Sequence, residues 1–246
     1  MQIQLLKKSI EKLTSEKFKE KKKFAIIIAA RADSVRLPKK HFKIINNKLK
    51  LSVLDYCIKR CKMSKTRNII LCTSSKKNDD VFENYAKKNK VKIFRGSKNN
   101  VLKRYIECAE KYKITDVIRI TGDCPLVDKN IINSLLDIYK KNNYDYVGNV
   151  TPPSFPDGLD VEIVKLSALK KSYIENKSKK NLEHVTMHIR RSKKYNKYNM
   201  KYNKKNLSKI RWTVDTEDDL KIIKKIVRSF HPKIHSEWNE IYNLNY

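Results

Sequence analysis

The stretch from Phe24 to Lys40 (FAIIIAARADSVRLPKK) constrains the fold of this chain more than any other segment. It begins with a wholly apolar run, Phe24 to Ala30, and then turns into a loop rich in basic side chains. A short apolar run that ends in a polar turn is typical of a buried strand in a parallel sheet. Because open α/β sheets bind ligands at the carboxyl ends of their strands, we expect a ligand at this loop.

The cations of the loop indicate the kind of ligand. Arg31, Arg36, Lys39 and Lys40 stand close together, with Ser34 among them. The loop contains no glycine and no Walker sequence, so side-chain cations and backbone amides would have to hold a phosphate chain. The alternative is that the arginines pair with surface acids. The position directly after a buried strand favours phosphate binding.

Strands and helices alternate along the first 150 residues. The predicted strands cover residues 24–30, 68–72, 91–94, 116–121 and 144–150, and the predicted helices cover residues 51–61, 79–88, 100–112 and 129–141. This alternation is typical of βαβ units, so the fold class is α/β with a doubly wound, mostly parallel sheet. Right-handed crossovers would place helices on both faces of the sheet.

The pattern changes after Val150, where the proline-rich loop Thr151 to Gly158 excludes a helix. The pattern beyond predicts strands over 159–165 and 211–214, an edge strand over 195–202, helices over 166–175, 181–191 and 216–229, and a terminal helix or tail over 236–246. Residues 1–23 are predicted to form a basic amphipathic extension, separate from a domain over 24–246.

Composition limits the partners. The chain has 246 residues and a formal charge of +31, but its lysines are spread throughout, whereas nucleic-acid surfaces cluster arginine and aromatic residues. We therefore expect modest nonspecific affinity for polyanions and no specific nucleic-acid partner. No apolar stretch is long enough to span a membrane, so no membrane insertion is expected. The five cysteines form no CxxC pair, which favours buried thiols in the reducing cytosol and a cytoplasmic protein.

Two carboxylates complement the basic loop. Asp123 follows the strand over 116–121, and Asp215 follows the predicted strand that ends at Val214. Carboxylates at strand ends of one sheet can converge on Mg²⁺, which takes one or two protein carboxylates and completes its shell with phosphate oxygens and water. The alternative for each residue is a turn or a helix cap.

Two further segments offer polar groups to a substrate. His184 lies in the sequence Glu183-His184-Val185-Thr186 and is either an acid/base group, a substrate contact or a structural histidine. Asp157 and Asp160 flank the end of the proline-rich loop. Loops of this kind on a rigid scaffold often contact substrate.

Six segments together resemble the cytidylyltransferases that make CMP-activated sugars, in particular the spore-coat-polysaccharide branch related to the CMP-Kdo and acylneuraminate enzymes. They are AARADSVRLPKK (29–40), FRGS (94–97) with VLKRY (101–105), RITGDCPL (119–126), FPDGLDVE (155–162), EHVT (183–186), and RWTVDT (211–216) with Asp219-Leu220. The resemblance covers about residues 24–229. It implies the nucleotide-diphospho-sugar transferase fold, which is Rossmann-like, and acceptor-side and dimerisation elements over about 151–205.

The resemblance also implies a reaction: CTP and a sugar or sugar acid give a CMP-sugar and pyrophosphate. Arg31, Lys40, Asp123 and Asp215 would be catalytic, and the two aspartates would bind Mg²⁺. The nucleotide would be bound by Ala29, Ala30, Arg31, Ser34, Arg36, Lys40, Thr73, Arg95 and Asp123. The acceptor would be bound by Arg104, Asp157, Asp160, Glu183 and His184. The resemblance further implies a homodimer.

The chain departs from the family pattern at two positions where glycine is common, Asp33 and Lys39. Asp33 places a negative charge in a phosphate loop and should weaken CTP binding unless Arg31 or Arg36 pairs with it. Lys39 adds charge but loses backbone freedom. Two alternatives stay open: an enzyme that uses another nucleoside triphosphate or a non-sugar acceptor, and a non-catalytic polyanion-binding protein on the same fold.

Overall fold

A computed structural model describes residues 22–244 of the chain. The predicted N-terminal extension therefore lies outside the described residues, except for Lys22 and Lys23. No helix in the described part of the chain is long and apolar enough to cross a membrane.

The described residues form strands and helices in regular alternation up to Gly148. The strands are β1 (Phe24–Ala29), β2 (Ile44–Asn46), β3 (Leu51–Ser52), β4 (Ile69–Ser74), β5 (Lys92–Gly96), β6 (Asp116–Thr121), β7 (Tyr146–Gly148), β8 (Glu162–Lys165) and β9 (Lys197–Asn199). The α-helices are α1 (Val53–Cys61), α2 (Val81–Lys88), α3 (Val101–Lys111), α4 (Lys129–Lys141), α5 (Leu166–Glu175), α6 (Lys179–His184), α7 (Met187–Arg191), α8 (Glu217–Ser229) and α9 (Trp238–Tyr242). Short 3₁₀ helices cover Lys40–Phe42 and Lys77–Asp79.

Seven strands form one sheet in the order β5-β4-β1-β6-β8-β7-β9. The pairs β4–β5, β1–β4, β1–β6 and β7–β9 are parallel, whereas β8 runs antiparallel to both β6 and β7. Strands β2 and β3 make a separate hairpin. The predicted α/β class with a mostly parallel sheet is therefore confirmed.

Helices cover both faces of the sheet, as predicted. Because successive side chains of a strand point to opposite faces, Ile26 and Ile28 pack in one apolar layer while Ala25 and Ile27 pack in the other. The first layer is completed by residues of α1, α4 and α8, and the second by residues of α3 and α5. All five cysteines are buried and unpaired, which agrees with their prediction as core thiols.

Two predicted elements differ in the structure. Residues 211–214 do not form a strand of the sheet; instead the Trp212 amide donates to the carbonyl of Asp157, and the Asp157 amide donates to the carbonyl of Ile210. The proline-rich loop thus pairs with this segment. Gly158 permits that approach, because a Cβ at its φ of 110° would lie 2.6 Å from the Trp212 carbonyl carbon.

The predicted helix over 181–191 is two helices, α6 and α7, separated at Val185. Val185 has φ 59° and ψ −61°, and the Thr186 amide donates to the His184 carbonyl at 2.6 Å. This is a γ-turn of the rare, strained kind, and a β-branched residue seldom adopts it. The predicted edge strand over 195–202 is confirmed in its centre as β9.

Candidate active site

A cleft of about 650 Å³ opens at the carboxyl ends of β1 and β6. Twelve residues selected from the sequence line it: Ala29, Ala30, Arg31, Ser34, Arg36, Lys40, Arg104, Asp123, Asp157, Glu183, His184 and Asp215. They come from segments up to 186 residues apart in the chain and share one cavity because the parallel strands β1 and β6 end at the same edge.

The basic loop after β1 is anchored at both ends. The Ala32 amide donates to Oδ1 of the buried Asp79 at 2.7 Å, and Asp79 also accepts from the Ser74 amide at 3.2 Å. At the other end, Leu37 is buried, and Lys39, with φ 56°, is the N-cap of the 3₁₀ helix Lys40–Phe42. These contacts fix the backbone from which Arg31, Arg36 and Lys40 project.

Lys40 lies between two carboxylates. Its Nζ donates to Oδ2 of Asp123 at 2.5 Å and to Oδ1 of Asp215 at 2.6 Å. Burial disfavours the ammonium, yet the Asp123 carboxylate and the hydrogen bonds to both aspartates raise the pKa of Lys40. Burial likewise opposes ionisation of Asp123, but the Lys40 ammonium holds the pKa of that carboxyl below its ordinary value. Lys40 and Asp123 therefore form a charged pair, and together with Asp215, which accepts from the same ammonium, they make up the Lys40 triad.

Two arginines complete the surroundings of Asp215. Nη2 of Arg36 lies 2.9 Å from Oδ2 of Asp215, and Nη2 of Arg211 lies 3.7 Å from the same oxygen. The Val214 amide donates to the Asp123 carbonyl at 2.9 Å, and this backbone bond brings the two aspartates together although Asp215 does not follow a strand. The predicted convergence of Asp123 and Asp215 is therefore produced by residues 211–214, which form no strand, and not by two strand ends.

The donor set suits Mg²⁺. Both carboxylates accept from the same ammonium, so their oxygens lie within about 5 Å of each other. Two such carboxylates with phosphate oxygens and water match the ligands that Mg²⁺ prefers. No group of three or more His, Cys, Asp and Glu side chains within residues 22–244 could hold a metal ion by itself. A metal at this position would therefore take its remaining ligands from water or from phosphate oxygens.

Asp33, which departs from the family pattern, forms an ion pair with Lys98, and its Oδ1 lies 4.0 Å from Nε of Arg31. The hydrogen bond from Lys98 is the main reason why the pKa of Asp33 lies below its ordinary value. Lys98 thus compensates most of the charge that Asp33 adds to the loop.

A buried acid, Glu162 on β8, organises another wall of the cleft. Arg119 on β6 pairs with Glu162, whose Oε1 accepts from Tyr146 at 2.9 Å and from the Thr186 hydroxyl at 2.5 Å. Although burial opposes ionisation, the Arg119 guanidinium lowers the pKa of Glu162. The strained turn at Val185 brings the Thr186 hydroxyl into hydrogen-bond contact with Glu162. His184, the residue before this turn, lines the cleft.

The two aspartates of the proline-rich segment differ in their surroundings. Asp157 lines the cleft and pairs with Arg211 at 3.0 Å, yet burial raises its pKa. Burial, together with the charges of Asp157 and Glu162, raises the pKa of Asp160 to about 7. Asp160 is not among the residues that line the cleft.

Two residues assigned to the nucleotide do not line the cleft either. Arg95 pairs with Asp80 and, at 2.7 Å, with Glu83, and it donates to the Ser74 carbonyl. These contacts hold Arg95 on the outer side of β4, so the structure does not place it with the other cations. Thr73 is fully buried in β4.

Several lining residues were not selected from the sequence, namely Val35, His41, Val101, Arg119 and Thr121. The signal for Arg119 was present, because a charged residue interrupts the apolar strand DVIRIT. His41 is buried, and that burial lowers its pKa to about 4, so its ring is neutral at pH 7. Nothing local in the sequence distinguishes His41 from the lysines around it.

This fold and cleft define an α/β protein that presents clustered cations and two convergent carboxylates, the arrangement of a nucleotide-binding transferase. The chain belongs to the cytidylyltransferase family, whose model, described as "Cytidylyltransferase", matches residues 25–241. The resemblance seen in the sequence motifs is thereby confirmed.

Named relatives agree with this assignment. The chain is 30% identical over 212 residues to the spore coat polysaccharide biosynthesis protein SpsF of Bacillus subtilis, covering 81% of this chain and 84% of that protein. It is 32% identical over 123 residues to the 3-deoxy-manno-octulosonate cytidylyltransferase of Fusobacterium nucleatum, covering 49% and 47%. Its fold is similar to that of a cytidylyltransferase from Leptospira borgpetersenii, with a TM-score of 0.86, 30% identity, and coverage of 91% and 94%.

Proposed function

We propose that this protein transfers a cytidylyl group from CTP to a hydroxyl of a sugar or sugar acid, producing a CMP-sugar and pyrophosphate for the synthesis of a surface polysaccharide or glycan. Membership of the cytidylyltransferase family and the names of the two relatives support CTP and a sugar-pathway acceptor. The observation that carries the proposal is Lys40, held between Asp123 and Asp215 beside Arg36.

In the proposed reaction the acceptor oxygen attacks the α-phosphorus in line. The bond between that phosphorus and the bridging oxygen breaks, and its electron pair leaves with pyrophosphate, while the hydroxyl proton passes to water. Arg31 and Arg36 would bind the β- and γ-phosphates and neutralise the leaving charge. Catalysis then consists of alignment and charge stabilisation, with no covalent step on the protein.

Asp123 and Asp215 would hold Mg²⁺, which when bound neutralises phosphate charge and orients the triphosphate. The Lys40 ammonium would then turn from the two carboxylates to the phosphate chain, a short movement for a flexible side chain. We also propose that the protein works as a homodimer in the cytoplasm, with dimerisation elements within residues 151–205, as the family resemblance implies.

Pyrophosphate release tests the proposal. CTP is expected to support release with at least one member of a panel of sugars and sugar acids, and UTP, GTP and ATP are not. Lys40→Met should lower the rate by about 10²-fold or more, the usual effect of removing one charge-stabilising group. Lys43→Met is the matched control, because the Lys43 side chain is 40% exposed, pairs with Glu217 and does not line the cleft.

The alternatives give different results. Release from another nucleotide would assign a different nucleotidyltransferase, and equal rates for Lys40→Met and Lys43→Met would contradict the role of Lys40. A polyanion-binding protein would show no nucleotide preference, and its affinity for RNA would fall steeply with salt.

A further inference from the structure

A second pocket, of about 460 Å³, lies between the β2–β3 hairpin and the C-terminal half of α8. This hairpin pocket is lined by Ile45, Asn46, Asn47, Lys48, Lys224, Val227, Arg228 and His231. None of these residues lines the active-site cleft. Arg228 is in the last turn of α8 and Asp215 precedes the first turn, so about 17 Å of helix separates them. The hairpin pocket is therefore distinct from the Lys40 triad.

The hairpin pocket carries positive charge that no acid beside it balances. Lys48, Lys224 and Arg228 are exposed and line it, and its lining contains no Asp or Glu. Within residues 22–244 these three side chains form no ion pair. A concave site lined by charge of one sign concentrates ions of the opposite sign, because low-dielectric walls focus the field. The hairpin pocket is therefore expected to attract anions.

The cations of the pocket come from two separate elements. A cation in the last turn of a helix opposes the negative end of the helix dipole, which accounts for Arg228 without any ligand. That explanation does not extend to Lys48, which lies in the turn between β2 and β3. This turn has a fixed backbone, because Oδ1 of the buried Asn46 accepts from the Leu49 amide at 2.9 Å. The convergence of Lys48 with the cations of α8 thus points to a shared ligand.

The remaining lining of the pocket indicates the kind of anion. Ile45 and Val227 are buried and give the pocket an apolar base. The volume of about 460 Å³ is more than a single phosphate ion fills and lies within the usual range of small-molecule sites, about 300–1,000 Å³. Lysine offers phosphate a compact charge, and arginine offers it a planar fork of donors. Charge and apolar base together suit a phosphate attached to a small organic group.

We propose that the hairpin pocket binds a phosphate group, free or carried by a small organic molecule, through Lys48, Lys224 and Arg228. The organic part of a phosphate ester rests on Ile45 and Val227. This site does not depend on the proposed cytidylyl transfer. A ligand bound here contacts the hairpin and α8 at once, so it stabilises the folded state over the unfolded state.

Methyl NMR signals of the full-length protein separate this site from the cleft. With ¹³C-methyl-labelled isoleucine and valine, Ile45 and Val227 report on the hairpin pocket, and Val35 and Val101 report on the cleft. Each signal is assigned from a conservative substitution such as Ile45→Val. AMP should shift the two pocket signals saturably, whereas adenosine, its uncharged counterpart, should not.

A parallel titration with inorganic phosphate distinguishes the two sources of the phosphate group by the lower dissociation constant. The proposal is overturned if neither anion shifts the pocket signals, if shifts are confined to the cleft signals, or if adenosine gives shifts equal to those of AMP.

Charge-removal variants test the assigned cations. Lys224→Met/Arg228→Met should raise the dissociation constant of AMP at the pocket signals by about tenfold or more, because two charge-assisted contacts are lost. Lys140→Met/Lys141→Met is the matched control, because it removes two cations from the last turn of α4, and it should change the constant by no more than about twofold. Lys48→Met tests the hairpin side without altering α8. Equal weakening by the two double variants, or no weakening in any pocket variant, would contradict the proposal.

Discussion

The ammonium of Lys40 lies 2.5 Å from Oδ2 of Asp123 and 2.6 Å from Oδ1 of Asp215. Two carboxylates this close would repel each other without a cation between them. Lys40 therefore stabilises the arrangement that would hold Mg²⁺ in the proposed reaction, and a metal ion bound there would compete with the ammonium for the same oxygens. The relationship couples the basic loop after β1 to the acidic pair.

Replacement of Lys40 by Met should lower the free energy of unfolding by about 3 kcal/mol, because breaking a buried ion pair leaves its partners uncompensated. Mg²⁺ should recover part of this loss in Lys40→Met, since no ammonium competes for the carboxylates. Chemical denaturation with and without Mg²⁺, at equal ionic strength in NaCl, measures both effects. If Mg²⁺ raised the free energy of unfolding of Lys40→Met no more than that of Lys43→Met, the result would argue against a metal at Asp123 and Asp215.

Asp160 should make stability depend on pH. Its folded pKa of about 7 lies above the unfolded value of about 4, so the folded state binds more protons than the unfolded state between these values. The contribution of Asp160 to the free energy of unfolding is therefore present at low pH and is lost as pH rises from about 4 to about 7. Asp160→Asn removes this loss and should be more stable than wild type at pH 8, by up to about 4 kcal/mol.

Urea denaturation at pH 4 and pH 8 checks this prediction. The difference between Asp160→Asn and wild type should be small at pH 4 and large at pH 8. Asp218→Asn, which changes an exposed carboxylate on α8, should show no such dependence. An Asp160→Asn variant that is less stable than wild type at pH 8 would mean that the charged carboxylate is needed for folding.

Asp33 should weaken the affinity for CTP only slightly, because Lys98 compensates its charge and the pair is partly exposed. Asp33→Asn should bind CTP about 2- to 5-fold more tightly, the effect expected of a screened surface charge. Lys98→Met should have the opposite effect, because it leaves Asp33 uncompensated beside Arg31. Calorimetric titration of both variants with CTP and Mg²⁺ tests the pair, and weaker binding by Asp33→Asn would show that Asp33 positions Arg31.

Lys39 should be tolerated at a cost in stability. It is exposed and has φ 56°, a conformation that glycine adopts without steric cost. Lys39→Gly should therefore raise the free energy of unfolding by up to about 1 kcal/mol. Lys43, the control, has a φ of −61°, so Lys43→Gly is expected to lower the free energy of unfolding. Thermal denaturation compares them. Destabilisation by Lys39→Gly would mean that the Lys39 side chain contributes contacts that outweigh its backbone strain.

Elements whose causes are local were predicted closely. Strand β6 and helices α4 and α5 have the bounds that the apolar periodicity indicates. At the start of α4, the Asp128 side chain accepts from the amides of Asn130 and Ile131, so the helix boundary is specified by a cap within the same segment. Period and cap are both readable from neighbouring residues.

Elements that depend on distant partners were predicted less well. The helix predicted over 181–191 is interrupted at Val185, and the Thr186 hydroxyl after this turn donates to Glu162 on β8. Residues 211–214 look like a strand but pair with Asp157 in the proline-rich loop. Arg95 lies in a family motif on β5, and its ion pairs with Asp80 and Glu83 cannot be read from that motif.

The sequence by itself determined the α/β class, the strand that begins at Phe24, the basic loop after it and the pairing of that loop with Asp123 and Asp215, because apolar period and motif order are written along the chain. Only the tertiary structure decided that Lys40 bridges the two aspartates, that Lys98 compensates Asp33, and that Arg119 pairs with the buried Glu162. These relationships join residues far apart in sequence, and their energies depend on burial and distance, which a linear pattern does not contain.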